Sequence, residues 1–583
     1  MERDLSKLSW IVGCALFLAV CADILFYRKA PGISVVVFSI LLLGATLMLT
    51  RRFQATIDLE AKVLMLLILA LSSMVFVRSS ILIVALDITA SLCLYIFLLG
   101  RFVGLSLREF SVLHYLRQFI GAPAQSLVES FWVLKDVVNS RDELVKNVTL
   151  RQAGRGIMLT IPIFAVLTLL LSSADLVFNK YVNNSVEALK RFNFFEHISI
   201  VVTAFIILLG LLTYAFCRLS KQKQGEEMEL AITRKLLGFG FSKSFLLLIG
   251  INSIVFIFSL FLTVLFASFY HVTAPLSVRI MVPLLPPIAL SLVFAYAFSF
   301  YELQEADEHA GSMVAARSGT ISFVESSIIL GSVDALLIVF ILLQFTYLFG
   351  GAHNITAQGF TYAEYAHKGF FELIAVALLS FAIIWSTDSR TKLVNLSQTR
   401  WLKILNGVLI SLVSLIMISA FKRLLIYEAA YGYTTLRVYT QIFIVLVGVI
   451  SLLLLYKLAT DRSEVWFCLR SFTVVILFLI GMNVANIDGI IAKLNIEQFK
   501  TSHDKKLLVF NMDLSADAID QAIESYNLLD PKDRSSVINE RFRSRLNSIQ
   551  ELSWQSYSLS NIHALEKLND WEVDHARISS EGR

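Results

Sequence analysis

The sequence predicts an all-α fold, a polytopic transmembrane helix bundle of about thirteen spans with a small helical extracytoplasmic C-terminal domain. Composition is the first reason. Of 583 residues, 57% are hydrophobic and 16% charged, where a soluble chain runs nearer ~25% charged. The mean hydropathy is +0.72. The second reason is grouping: the apolar residues come in blocks of roughly 17–25, the length that crosses a bilayer as helix. A transmembrane barrel would show short alternating segments instead, and the chain has none.

The expected spans are 8–26, 33–50, 61–77, 81–100, 156–173, 198–217, 245–269, 281–300, 327–349, 370–385, 404–421, 438–458 and 472–484. No small-residue cleavage pattern follows the first, so it reads as a retained helix. Pro283, Pro286 and Pro287 interrupt the eighth. They mark either a broken helix at a protein-lined cavity or a proline-rich helix start at the interface.

Lysine and arginine set the orientation, because they stay in the cytoplasm. With the N-terminus inside, most of the basic residues fall in the loops on that side, including the long connections 101–155 and 218–243. An odd number of spans then puts the chain after residue 484 outside. The first long loop alternates Phe102, Leu107, Phe110, Leu113 and Phe119 with Arg108 and Arg117. That spacing suits helices lying on the inner leaflet.

Organisation therefore divides into a transmembrane bundle with its cytoplasmic loops (1–484), a small helical extracytoplasmic domain (485–573) and a disordered tail (574–583). In the C-terminal part, Ser515 is placed to cap a helix over 516–529, Pro531 to open one over 532–552, and Ser560 to cap a short one around 562–568.

Several chemistries find no support. Cys14, Cys21, Cys93, Cys217 and Cys468 lie within spans or at cytoplasmic helix ends, so no structural disulfide is expected. There is no CxxC, HExxH or spaced Cys/His cluster for a metal, and no cofactor is expected. There is no phosphate loop for ATP-driven pumping and no nucleophile elbow. The basic residues belong to cytoplasmic loops, which gives no case for nucleic acid. Lipid is the one assured partner, and the tail and cytoplasmic loops offer surfaces for protein partners.

Carboxylates inside spans are costly in lipid and are functional candidates by default. Asp87 lies near the middle of its span and Asp334 about a third of the way along its own. They can carry protons in a coupled transporter, or hydrogen-bond neighbouring helices.

Two connections on the outer side are tyrosine-rich and charged. Residues 344–372 hold Tyr362, Glu364, Tyr365, His367, Lys368 and Glu372; residues 422–437 hold Tyr427, Glu428, Tyr431 and Arg437. An aromatic belt is the plainer reading. It leaves unexplained the acidic and basic residues beside the tyrosines in both connections. Tyrosine faces with paired charges suit a sugar or a phosphate-bearing envelope lipid.

The stretches FTYLFGG, TYAEYAHKGFFEL, RLLIYEAAYGYTTLR, NVANIDGIIAKLNI and LSADAI resemble a family of bacterial multi-pass membrane proteins filed as a domain of unknown function. The resemblance spans about residues 325–528. It implies a bacterial inner-membrane location and a coherent outer face. It carries no residue roles.

Three functions of different class remain. An accessory or sensory protein would use the tail and the basic loops. A proton-coupled transporter or flippase would use Asp87 and Asp334, though no internal repeat is visible. An enzyme acting on a lipid-linked substrate would use Glu364 or Glu428 as acid or base, with His367 or Arg437 on phosphate. The first outer connection, 27–32, has no acidic residue such an enzyme would place there. The balance falls toward the accessory or sensory role.

Overall fold

A computed structural model describes residues 5–109, 115, 126, 194–223, 321–348, 370–534 and 536–581. These residues are helical, apart from turns and one isolated bridge between Ile321 and Thr391. Ten long helices build the apolar body: α1 (Leu5–Phe26), α2 (Ile33–Arg52), α3 (Leu59–Val77), α4 (Ile81–Phe102), α5 (Phe194–Lys223), α6 (Phe323–Leu348), α7 (Phe370–Arg390), α8 (Leu396–Tyr431), α9 (Thr435–Thr460) and α10 (Glu464–Ala485). Nine of these described helices, all but α7, are long and apolar enough to cross a membrane. The expected span 370–385 lies in α7, whose last turns, from Ser386 to Arg390, are polar. The expected spans 156–173, 245–269 and 281–300, with the proline cluster, lie outside the described residues.

The body has two halves. Helices α1–α5 share one apolar core, built around Leu18, Leu64, Leu98, Leu212 and Phe216. Helices α6–α9 share another, around Leu330, Leu409, Val413, Ile416 and Val447. Lipid tails are as apolar as leucine, so short polar contacts between helices add specificity to this packing. Ser39 meets Ser72 at 2.8 Å and Thr46 meets Tyr95 at 3.0 Å in the first half. Thr387 donates to Asn406 at 3.1 Å in the second. Helix α10 lies along the seam. It packs on α9, yet Ile476 belongs to the first core and Phe472 meets Phe97 edge-on.

One end of the body is rich in basic residues and tied by its loops. Asp58 caps α3 by accepting from the Ala61 N–H at 3.0 Å and also accepts from Arg101 at the end of α4 at 2.7 Å. Glu60 holds the Leu107 N–H at 2.6 Å.

The opposite end is covered by a layer of helices, hereafter the cap: α11 (Ile487–Ser502), α12 (Lys505–Asn511), α13 (Ile519–Leu528), α14 (Ser536–Gln550) and α15 (Leu559–Glu581). Asn486, in the left-handed conformation at φ 48°, separates α10 from α11, and its side chain accepts from the Gly489 N–H. The cap has its own core, in which Tyr526, Phe542 and Trp571 pack with ring centroids 5.0–5.5 Å apart.

Local helix signals in this part misled on detail. Residues 516–518 form a 3-10 turn before α13, and the Ser515 hydroxyl goes to Asp488 instead of capping. Helix α14 starts at Ser536, beyond Pro531. Helix α15 runs through Glu581, so the stretch from Asp574 expected to be disordered is helical that far. The earlier part of α15 packs into the cap core through Ala564, Leu568 and Trp571.

Candidate functional site at the capped end

Helix α8 has 36 residues, about 54 Å at 1.5 Å per residue, against a hydrocarbon core of about 30 Å. Its last turns therefore stand clear of the span and carry the YEAAY part of the tyrosine-rich connection into the cap. There the four expected residues separate. Tyr427 and Tyr431 sit one turn apart with ring centroids 4.9 Å apart, and the Arg437 guanidinium lies over the Tyr427 ring at 4.1 Å. Arg437 also donates to the Gly432 carbonyl at 2.6 Å. This is an aromatic and cationic ledge, with Tyr431 exposed. Glu428 turns the other way. It is fully buried, accepts from Gln441 of α9 at 2.5 Å, and its second oxygen has no hydrogen-bond partner.

The turn after α8 is gripped by the cap. Gly432 has φ +80°, and a Cβ there would collide with a Leu507 methyl carbon, so the position takes glycine on both counts. The buried Asn495 side chain accepts from the Tyr433 N–H at 2.7 Å and donates to the Tyr433 carbonyl at 2.9 Å. It donates also to Asn511, which in turn donates to Ser525 and the Ala492 carbonyl. Gln498 adds bonds to the carbonyls of Glu428 and Ala429. Burial pushes the Tyr433 phenol up, helped by the charges of Glu428 and Glu497.

A second grip holds the first half of the body. The Asp517 carboxylate accepts from the N–H groups of Ser79 and Ser80 at 2.9–3.1 Å, at the N-terminus of α4. An anion there meets unpaired N–H groups and the positive end of the helix dipole. Ser560 bonds Asp517 and the Val77 carbonyl, and Asn486 donates to the Asp517 carbonyl. Arg78 donates to the carbonyls of Asn483 and Val484. Beneath Asp517 lies Asp488, buried, accepting from Ser515 at 2.5 Å. Burial raises its carboxyl above the ordinary value, the Ser515 hydroxyl opposes this, and the Asp517 charge adds to it. Arg545 is half-buried, and its desolvation lowers its basicity; it donates to the Met512 and Leu514 carbonyls.

The intramembrane carboxylates sit apart from one another. Asp87 of α4 is fully buried and accepts from Asn483 of α10 at 2.9 Å. Asp334 of α6 is buried with neither oxygen hydrogen-bonded. Tyr362, Glu364, Tyr365, His367 and Lys368 lie outside the described residues, and Glu372 is placed only as part of α7. A groove of about 840 Å³ opens on the cap between the 512–514 turn and α14, bordered by the Arg541–Asp513 ion pair, and none of the expected site residues line it. Among the described residues no group of three or more His, Cys, Asp and Glu could hold a metal ion.

Sequence reasoning missed Asn495, Asn511, Asp517 and Arg78. The Asn495 clamp reaches 62 residues along the chain and the Asp517 contacts up to 438, so no local pattern marks them.

A family model described as Domain of unknown function (DUF4153) matches residues 65–310 and again 279–525, which together take in most of the chain. The chain belongs to this family. The grip of Asn495 and Gln498 on the turn after α8 falls inside the second matched segment, and the grip of Asp517 on Ser79 and Ser80 joins the second segment to the first. No curated protein and no solved structure matches the chain.

Proposed function

We propose that this member of the DUF4153 family is an envelope-related accessory or sensory protein of the bacterial inner membrane. In this reading the basic end faces the cytoplasm, as the positive-inside rule asks of Arg51, Arg52, Arg101, Lys403 and Lys457, and the cap faces outward. The aromatic and cationic ledge of Tyr427, Tyr431 and Arg437 takes an envelope lipid or sugar.

One observation carries the reading. The cap is bonded to backbone groups of both halves of the body, through Asp517 on α4 and Asn495 on the turn after α8. A layer held at both points moves when either half moves, so an event at the cap is communicated to the helices below. Burial of Glu428 counts against an acid or base role for it in hydrolysis, since a bound substrate cannot come within hydrogen-bond distance of it. The transporter reading draws on the burial of Asp87 and Asp334 within the apolar body.

Complementation of a deletion strain under envelope stress, at matched expression, tests the reading. Arg437→Ala, which opens the ledge, and Asp517→Ala, which frees the cap from α4, are expected to fail while purified protein shows no counterflow in vesicles. Full complementation by both variants would sink it, and counterflow by the wild type would move the function to transport.

A further inference from the structure

Asp87 and Asn483 meet at the seam between the two halves of the body, one on α4 and the other on the last turn of α10. The Asn483 amide nitrogen donates to one Asp87 oxygen at 2.9 Å and to the Leu479 carbonyl at 3.0 Å, so both its hydrogens are used. The other Asp87 oxygen and the Asn483 oxygen are each buried without a hydrogen-bond partner. Both are acceptors if Asp87 is ionised, and they belong to two planar groups already joined along one edge. A buried acceptor left unpaired is costly, and two in one place indicate that a positive ligand is missing from the account.

We propose that this pair is a proton-binding site: Asp87 takes a proton from solvent on its free oxygen and donates it to the Asn483 oxygen, closing a cyclic acid–amide pair. A single O–H then satisfies both orphaned acceptors and removes the charge from the apolar seam. A metal cation fits less well. Hard cations take six or more oxygens, and on α4 the one further buried side-chain oxygen without a hydrogen-bond partner is the Ser91 hydroxyl, one turn along. The surroundings leave the pair to itself. No charged side chain among the described residues of α3, α5 or α10, which pack on α4, acts on Asp87. Arg78, the basic residue in the turn before α4, is occupied by the backbone carbonyls of Asn483 and Val484.

Position makes the site consequential. Asn483 is three residues before Asn486, whose side chain bonds Asp517 in the cap. Proton occupancy therefore sets how the end of α10 seats against α4, immediately below the cap. The inference does not rest on the sensory reading above.

Infrared difference spectroscopy on the full chain in lipid nanodiscs tests it. A carboxylic-acid carbonyl band, shifted by D₂O, is expected near neutral pH. It should vanish in Asp87→Asn, change frequency in Asn483→Leu, and be indifferent to exchange of choline for sodium. Absence of any band removed by Asp87→Asn, at mildly acidic or alkaline pH, overturns the proposal. So does an unmoved frequency in Asn483→Leu, which would mean the proton is not shared. A band abolished by sodium would assign the site to a metal cation instead. If Asp87→Asn does not fold, the frequency change in Asn483→Leu decides.

Discussion

At Gly432 two independent constraints fall on one residue: a positive φ that side chains rarely adopt, and Leu507 in the space a Cβ would fill. Strained backbone of this kind costs on the order of 1–3 kcal/mol and overpacking a similar amount. Gly432→Ala should therefore lower the melting temperature of purified protein, and adding Leu507→Ala should recover only the steric part. Asp488 makes a pH prediction. Burial raises its folded value above the ordinary 3.8. The folded state then binds the proton more tightly than the unfolded state, so this contribution is complete below the ordinary value and is lost as pH rises through the raised one. Hydrogen exchange across 487–529 should show the cap loosening as pH rises from acid. Asp488→Asn should flatten that dependence, and an unchanged slope in the variant would refute the assignment. Glu428, Asp87 and Asp334 were visible in the sequence because carboxylates stand out in apolar runs. Which way each points was not, since burial and partners come from other helices.

The elements show a similar division. Boundaries set by composition were legible: the cores of α1–α4, α9 and α10 lie where the apolar blocks lie. Length beyond the bilayer was not: α8 runs past the expected span 404–421 at both ends, from Leu396 to Tyr431. The start of α3 shows what a short-range signal can do. Asp58 accepts from Ala61 as the sequence pattern allows, yet it also accepts from Arg101, 43 residues away. Burial works to raise its carboxyl, but the Ala61 N–H and Arg101 outweigh this and hold it below the usual range. Asp58→Ala should cost about 1–2 kcal/mol, the usual loss for a helix N-cap. The Asp58→Asn variant should keep the cap but lose the ion pair; equal loss in Asp58→Ala and Asp58→Asn would show that Arg101 matters more than the cap.

For the whole molecule, the proposed orientation places the C-terminus outside the cytoplasm. Alkaline phosphatase fused after Arg583 should be active and a fluorescent protein fused there dark; the reverse result would invert the orientation. A Ser79→Cys and Asp517→Cys pair should form a disulfide that locks the cap to α4. If cap movement transmits a signal, that lock should abolish complementation until a reductant is added. The sequence by itself determined the class of the protein, because bilayer thickness imposes a length and a composition that any spanning helix must meet. It also located the tyrosine-rich turn after α8 and the intramembrane carboxylates, since each breaks the surrounding pattern. Only the tertiary structure decided what those residues touch. Asn495 on Tyr433, Asp517 on the start of α4 and Asn483 on Asp87 join segments 62, 437–438 and 396 residues apart. Hydrogen bonds of that reach depend on how the helices pack, and local sequence carries no trace of them.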